Sequence, residues 1–176
     1  MKLSFFSLAS GSSGNCYYLG TPDFGILIDA GISFRTIKKV LKDNNIDISK
    51  IAAVLVTHDH ADHIKTVGYL GEKMYLPIYS TADVHRGIDN SRYVEETLNG
   101  SRRIIQKEVP FMIRDFSIVA FEVPHDSTDN VGYHICYKDH KFTFATDVGH
   151  ITDTVKKYMS MANHLIIEAN YDEEML

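Results

Sequence analysis

The chain has 176 residues, 44% of them apolar, and a formal net charge of -5 at neutral pH, so residues 1–176 are expected to form a single domain with a sizeable core. No apolar stretch reaches the roughly 18 to 20 residues of a membrane span, and the start "MKLSFFSLASGSSGN" lacks the apolar run and cleavage site of a secretory signal, which makes a cytoplasmic address the expectation. The negative charge gives no basic footprint for passive nucleic-acid binding, although two divalent cations would add about +4 at one spot and reverse the local field.

In chain order, "KLSFFSLA", "NCYYLG" and "GILIDAG" read as short strands separated by Gly, Ser and Pro-Asp turn signals, and so as an antiparallel meander. Ser33 then caps a helix in which Phe34, Ile37, Val40 and Leu41 recur at helical spacing, leaving Arg35, Lys38, Lys39 and Lys42 for solvent. "IAAVLVT" is a near-continuous apolar strand, expected to be buried on both faces. Weak helices follow at "ADVHRGI" and "YVEETL", strands at "RRIIQ" and "FSIVAFEVP", a hairpin at "GYHICYKDHKFTFATD", a helix near "DTVKKYMSMA" and a strand at "HLIIEAN". Strands first, then helix and strand in alternation, suggest an α+β protein of the αββα sandwich type. Cys16 and Cys136 stand in strand-like apolar surroundings and are expected to be free thiols.

The stretch "THDHADHI", residues 57 to 64, places three histidines and two aspartates in eight positions after the strand "IAAVLV". A random draw from this composition gives His-x-His-x-Asp-His with a probability of roughly 0.002. Alternation in an extended segment puts His58 and His60 on one side, and the following turn returns Asp62 and His63 toward the same space. Imidazole nitrogen and a hard carboxylate together suit Zn²⁺ and its neighbours, in a site where two cations lie about 3.5 to 4 Å apart. The blander reading is a hydrogen-bonded loop in which Asp59 or Asp62 caps the next helix.

This stretch resembles the H-x-H-x-D-H signature of the metallo-β-lactamase-fold metallohydrolases, and the resemblance runs through almost the whole chain. "LASGSSGNCYYL", "ILIDAG", "VPHDSTDNVGYHI", "TFATDVGHI" and "IIEANYDEEML" are most like the YycJ/WalJ group, whose members are regarded as nucleic-acid-processing enzymes. The resemblance implies two further ligands, His125 at the end of "FEVPH" and Asp147 at the end of "FTFATD". It implies that His58, His60 and His125 hold one metal and Asp62 and His63 the other, with Asp147 bridging them. Zinc is the first expectation, manganese or iron the next.

Other polar residues carry weaker expectations. Asp29 and His150 are candidates for orienting ligands, and Ser12, Ser13 and Asn15 in "SGSSGN" either form a plain turn, the favoured reading, or hold a phosphate oxygen. Ser127 and Thr128 in "HDSTDN" are candidates on the same terms. His85, His134 and His140 are expected to be ordinary surface histidines, and His164 to begin a strand.

Metal activation of water makes hydrolysis the natural reaction, with Asp62 orienting the hydroxide or taking its proton. The leading expectation is a phosphodiesterase or nuclease acting on DNA or RNA. Hydrolysis of a small thioester, lactone or lactam is the alternative. A diiron redox protein fits less well, because such relatives place a carboxylate where His60 stands. A silent binding module is the remaining reading: "EANYDEEML" stops at what reads as a helix start, whereas the resembled group continues for several dozen residues and supplies another histidine. The C-terminus is therefore expected to be truncated, with apolar core edge uncovered and a homo-oligomer possible.

Overall fold

The computed structural model describes residues 2–168. The expected helix start within 169–176 lies outside the described residues. The chain divides into two compact units, 1–104 and 105–176.

The first unit is built on a six-stranded sheet whose strands lie side by side in chain order: β1 (Ser4–Ala9), β2 (Cys16–Gly20), β3 (Gly25–Ile28), β4 (Ile51–Leu55), β5 (Ile78–Ser80) and β6 (Arg102–Ile104). The first three form the expected antiparallel meander, and from β3 onward neighbours are parallel. Parallel pairing requires crossovers, and these carry α1 (Phe34–Asp43), then α2 (Ala61–Ile64) and α3 (Val67–Glu72), then α4 (Ala82–Asp89). Ser33 caps α1 by accepting from Thr36 N at 3.2 Å. Ile37 and Leu41 turn inward onto a core containing Leu27, Val54, Val56, Ile64, Leu70, Ile78 and Val84, while Arg35, Lys38, Lys39 and Lys42 are exposed. Because β3 and β4 run parallel with Ile28 opposite Leu55, the residues after each leave the sheet at the same edge. That edge receives Asp29, Thr57 and the histidines.

The second unit is a five-stranded sheet in the order β11-β10-β9-β8-β7, formed by β7 (Phe111–Ile113), β8 (Phe116–Glu122), β9 (Val131–Tyr137), β10 (His140–Ala145) and β11 (His164–Ile167). β9 and β10 make the expected hairpin, with Lys138 at φ 52° in its two-residue turn. Helix α5 (Asp153–Met161), capped by the Thr152 hydroxyl at Val155 N, lays Val155 and Tyr158 against Phe121, whose ring stacks on Tyr158 at 4.4 Å between centroids.

Several expectations are corrected. Residues 93–98 are not a helix: they run as turns in which Val94 N donates to Ser91 O at 3.4 Å and Asn99 N to Thr97 O at 2.8 Å. Val94 and Leu98 are both buried, but one apolar pair in six residues is too little to nucleate a helix. His85 and His134 are buried rather than on the surface. The ring of His85 meets Arg103 O at 3.1 Å, and His134 Nδ1 meets Thr143 Oγ1 at 2.8 Å. His140 lies nearer the surface, 3.1 Å from His164 Nε2, and His164 does begin a strand. Cys16 and Cys136 are free, the first buried and the second half-buried. Among the described residues no helix is long and apolar enough to cross a membrane.

Candidate metal centre

The organising group is Asp29. It follows β3 in the left-handed region, at φ 60°, while its N–H donates to Leu55 O at 2.8 Å. The chain therefore turns sharply and brings the carboxylate under the loop that leaves β4. Asp29 is fully buried and accepts three hydrogen bonds: Oδ1 from Thr57 N at 2.8 Å, and Oδ2 from Thr57 Oγ1 at 2.8 Å and from His63 Nδ1 at 2.7 Å. A buried carboxylate is tolerable only when its lone pairs are engaged in this way. The same charge, after burial itself, pushes the nearby Cys16 thiol up, so Cys16 stays protonated.

This arrangement fixes two imidazoles. His63 Nδ1 faces a carboxylate and must carry its proton there, leaving the lone pair on Nε2. Thr57 has a single hydroxyl proton and gives it to Asp29, so its oxygen accepts from His58 Nδ1, 2.9 Å away. The lone pair of His58 is then also on Nε2. One buried acid, directly and through one hydroxyl, leaves both rings with the Nε2 lone pair that a metal ligand needs. The ring centroids of His58 lie 4.0 Å from those of His63 and 4.7 Å from those of His60. A ligand nitrogen of His58 lies within 4.8 Å of one on each neighbour. Two nitrogens at about 2.0 to 2.1 Å from a common ion stand up to about 4 Å apart, a separation this limit admits, so the donor set suits a divalent cation.

Helix α2, with His60 as its N-terminal cap residue and Asp62 in its first turn, is held by main-chain bonds to two other loops. Asn15 N donates to Asp62 O at 2.7 Å, Ala30 N to His63 O at 2.8 Å, and Gly31 N to Asn15 O at 2.8 Å. Gly31 is needed for this approach, since a Cβ there would lie 1.6 Å from Asp62 O. The Asn15 side chain is also spent here. Gly11 N donates to its Oδ1 at 3.0 Å and its Nδ2 donates to Gly11 O at 2.9 Å, which settles which way the amide faces. The remaining N–H meets Asp62 Oδ2 at 3.1 Å and His63 Nε2 at 3.2 Å. Ser12 and Ser13 are exposed at the loop's tip.

In the second unit, His125 follows β8 and Asp147 follows β10, both half-buried. These two strand ends meet: Gly149 N donates to Pro124 O at 2.8 Å. Asp147 takes φ 52°, a conformation that aspartate tolerates better than most residues. Ser127 Oγ donates to Asp129 O at 2.8 Å, within its own loop, while Thr128 and His150 are exposed. The sequence reading missed Thr57. Its only signal was a hydroxyl residue directly before the first candidate ligand histidine.

A sheet whose parallel strands end in a histidine and carboxylate loop, prepared for divalent metal, defines a metallo-β-lactamase fold. The described chain superimposes on the Rm3 metallo-β-lactamase with a TM-score of 0.71, at 12% identity, over 93% of this chain and 74% of that one. The pattern of the Beta-lactamase superfamily domain matches residues 25–176, and the chain belongs to that family. It is 34% identical over 169 residues to the exodeoxyribonuclease WalJ of Streptococcus pneumoniae serotype 2 (strain D39 / NCTC 7466), covering 96% of this chain and 63% of that protein. It is 32% identical over 176 residues to the exodeoxyribonuclease YycJ of Bacillus anthracis, covering all of this chain and 66% of that protein. The chain thus spans about two thirds of the length of these relatives.

Proposed function

We propose that this chain belongs to a metal-dependent phosphodiesterase that cleaves DNA or RNA. The observation that carries the reading is the Asp29 carboxylate preparing His58 and His63 together, in a chain whose relatives are named as exodeoxyribonucleases. The proposed ligand set is His58, His60, Asp62 and His63 with His125 and Asp147, holding two divalent cations, zinc first and manganese or iron next. The family match runs across both units, which supports a single domain over 1–176.

Bound cations would lower the pKa of water toward about 7 and share the charge that develops on an attacked phosphorus. The residues supply position and proton handling. Asp29 and Thr57 keep protons on the Nδ1 atoms of His63 and His58 and off the ligating nitrogens. Asp62, partly exposed and steadied by Asn15, accepts the proton of the attacking water. A cytoplasmic address and self-association of two copies belong to the same proposal, and the second is read by sedimentation equilibrium.

The test is to load the purified chain with zinc or manganese and offer it end-labelled DNA and RNA, single-stranded and duplex, beside a thioester, a lactone and a chromogenic lactam. Metal-dependent shortening of the oligonucleotides, lost on His58→Ala and on chelation, is expected. Turnover of a small ester or lactam with intact oligonucleotides would replace this reading by the small-substrate one. Metal binding without turnover of any of them would leave a binding module.

A further inference from the structure

The charge of the chain is unevenly spread. Residues 1–104 hold twelve Lys and Arg against eleven Asp and Glu, and three of those acids, Asp29, Asp59 and Asp62, lie in or beside the histidine loop. Residues 105–176 hold six against twelve. The cations therefore gather on the unit that bears the ligand histidines.

They are most ordered on α1. Arg35, Lys38 and Lys42 stand at i, i+3 and i+7, all exposed, on a helix with no acid in its first turn. Lys39 is engaged with Asp43 at 2.6 Å, and Asp47 beyond the helix lies close enough to Lys38 and Lys50 to feel both charges. From Arg35 to Lys42 is about 10 Å along the axis, long enough for the three cations to meet successive phosphates of one strand.

The end of this stripe nearest the histidine loop is aromatic. Phe34, at the start of α1, packs on Tyr69 of α3 with centroids 4.7 Å apart, and Tyr69 is 38% exposed. Thr66 ties that corner together, its N–H donating to Ala30 O at 2.9 Å and its hydroxyl to Ile32 O at 2.5 Å. Exposed Lys65 stands between this corner and His63. A row of exposed cations along a helix, ending in a partly exposed aromatic ring, suits a polynucleotide with unpaired bases. A duplex keeps its base faces stacked inside and has little to offer Tyr69.

We propose that Arg35, Lys38 and Lys42 with the Phe34–Tyr69 platform form the docking surface for a single-stranded polynucleotide, the phosphates on α1 and a base on Tyr69. The identity of the partner rests on the nuclease reading; the surface itself rests on charge and exposure.

The test is binding of a fluorescent single-stranded 12-mer to the intact chain in excess chelator, by anisotropy across salt concentrations, so that no cleavage is needed. The triple variant R35A/K38A/K42A should weaken binding at low salt at least tenfold and reduce the slope of log K against log salt by about 2. Tyr69→Ala should weaken binding about 5- to 100-fold with the slope unchanged, and Tyr69→Phe should restore it. If the triple variant melts early, the single variants Arg35→Gln, Lys38→Gln and Lys42→Gln should each lower the slope by about 0.7. Wild-type affinity and slope in these variants would overturn the surface. Equal binding of a blunt duplex, with no effect of Tyr69→Ala, would overturn the single-strand assignment. Failure of the nuclease reading shows elsewhere, as intact oligonucleotide with loaded protein, and leaves these binding results standing.

Discussion

Asp29 Oδ2 and His63 Nδ1 are 2.7 Å apart, with both side chains buried and the two residues 34 positions apart in the chain. Replacing Asp29 by Asn keeps the shape and the tolerance of a left-handed backbone but puts an N–H₂ where an acceptor stood. If the amide oxygen keeps Thr57 N, its N–H₂ faces Thr57 Oγ1 and His63 Nδ1. Both imidazoles then shift their proton to Nε2, the proposed ligating atom. Zinc affinity of Asp29→Asn should fall about ten- to a hundredfold, measured by competition with a chromogenic chelator. Imidazole nitrogen shifts in NMR should report the changed tautomers. Unchanged affinity would show that the relay does not prepare the ligands.

Asn15 turns the same logic on Asp62. Asn15→Asp keeps an acceptor for Gly11 N but replaces the donor 3.1 Å from Asp62 Oδ2 by a carboxylate oxygen. Two carboxylates at that distance cannot both stay ionised cheaply, so the pair takes up a proton at a higher pH in the folded chain than in the unfolded one. The folded state then binds the extra proton. In chelator the variant should be destabilised at pH 7 and recover toward wild type as the pH falls through the raised value. A pH-independent deficit in urea midpoints would show that Asn15 serves only the Gly11 turn.

Legibility in the sequence followed the range of each interaction. "THDHADHI" stood out because its composition is improbable, "IAAVLVT" because a parallel central strand is apolar on both faces, and Ser33 because a cap acts within three residues. Asp29 was visible only as a strand end, since its partners Thr57 and His63 lie 28 and 34 residues away. β5 and β7, three residues each, are too short to show a period. His134 was misread because β9 lies between β8 and β10 and is buried almost throughout, so alternation along it does not sort inside from outside. Conversely, Val94 and Leu98 reach the core from turns, and their helical spacing misled.

The two buried histidines away from the metal loop give a pH signature. Burial holds the His85 imidazole below its ordinary value near 6.5, and burial followed by the charge of Lys141 does the same for His134. In both, the unfolded chain binds the proton first as the pH falls. Stability is therefore complete above about pH 6.5 and declines as the pH drops below it. Urea midpoints in chelator between pH 7.5 and 5 should fall for wild type and fall less steeply for His134→Gln. Parallel curves would mean that His134 is not titrating against its surroundings.

Asp147 separates metal binding from folding because of its backbone. At φ 52° an Ala would add strain of about 1 kcal/mol, so Asp147→Ala confounds a lost ligand with a strained turn. Asp147→Asn does not: asparagine tolerates the same conformation and differs in charge and in one donor. If the carboxylate is a metal ligand, Asp147→Asn in chelator should melt within about 2 °C of wild type. Its affinity for zinc should fall at least tenfold, and the rise in melting temperature on adding zinc, which scales with the logarithm of free metal over Kd, should shrink accordingly. Zinc raising the melting temperature of Asp147→Asn as far as that of wild type would remove Asp147 from the ligand set.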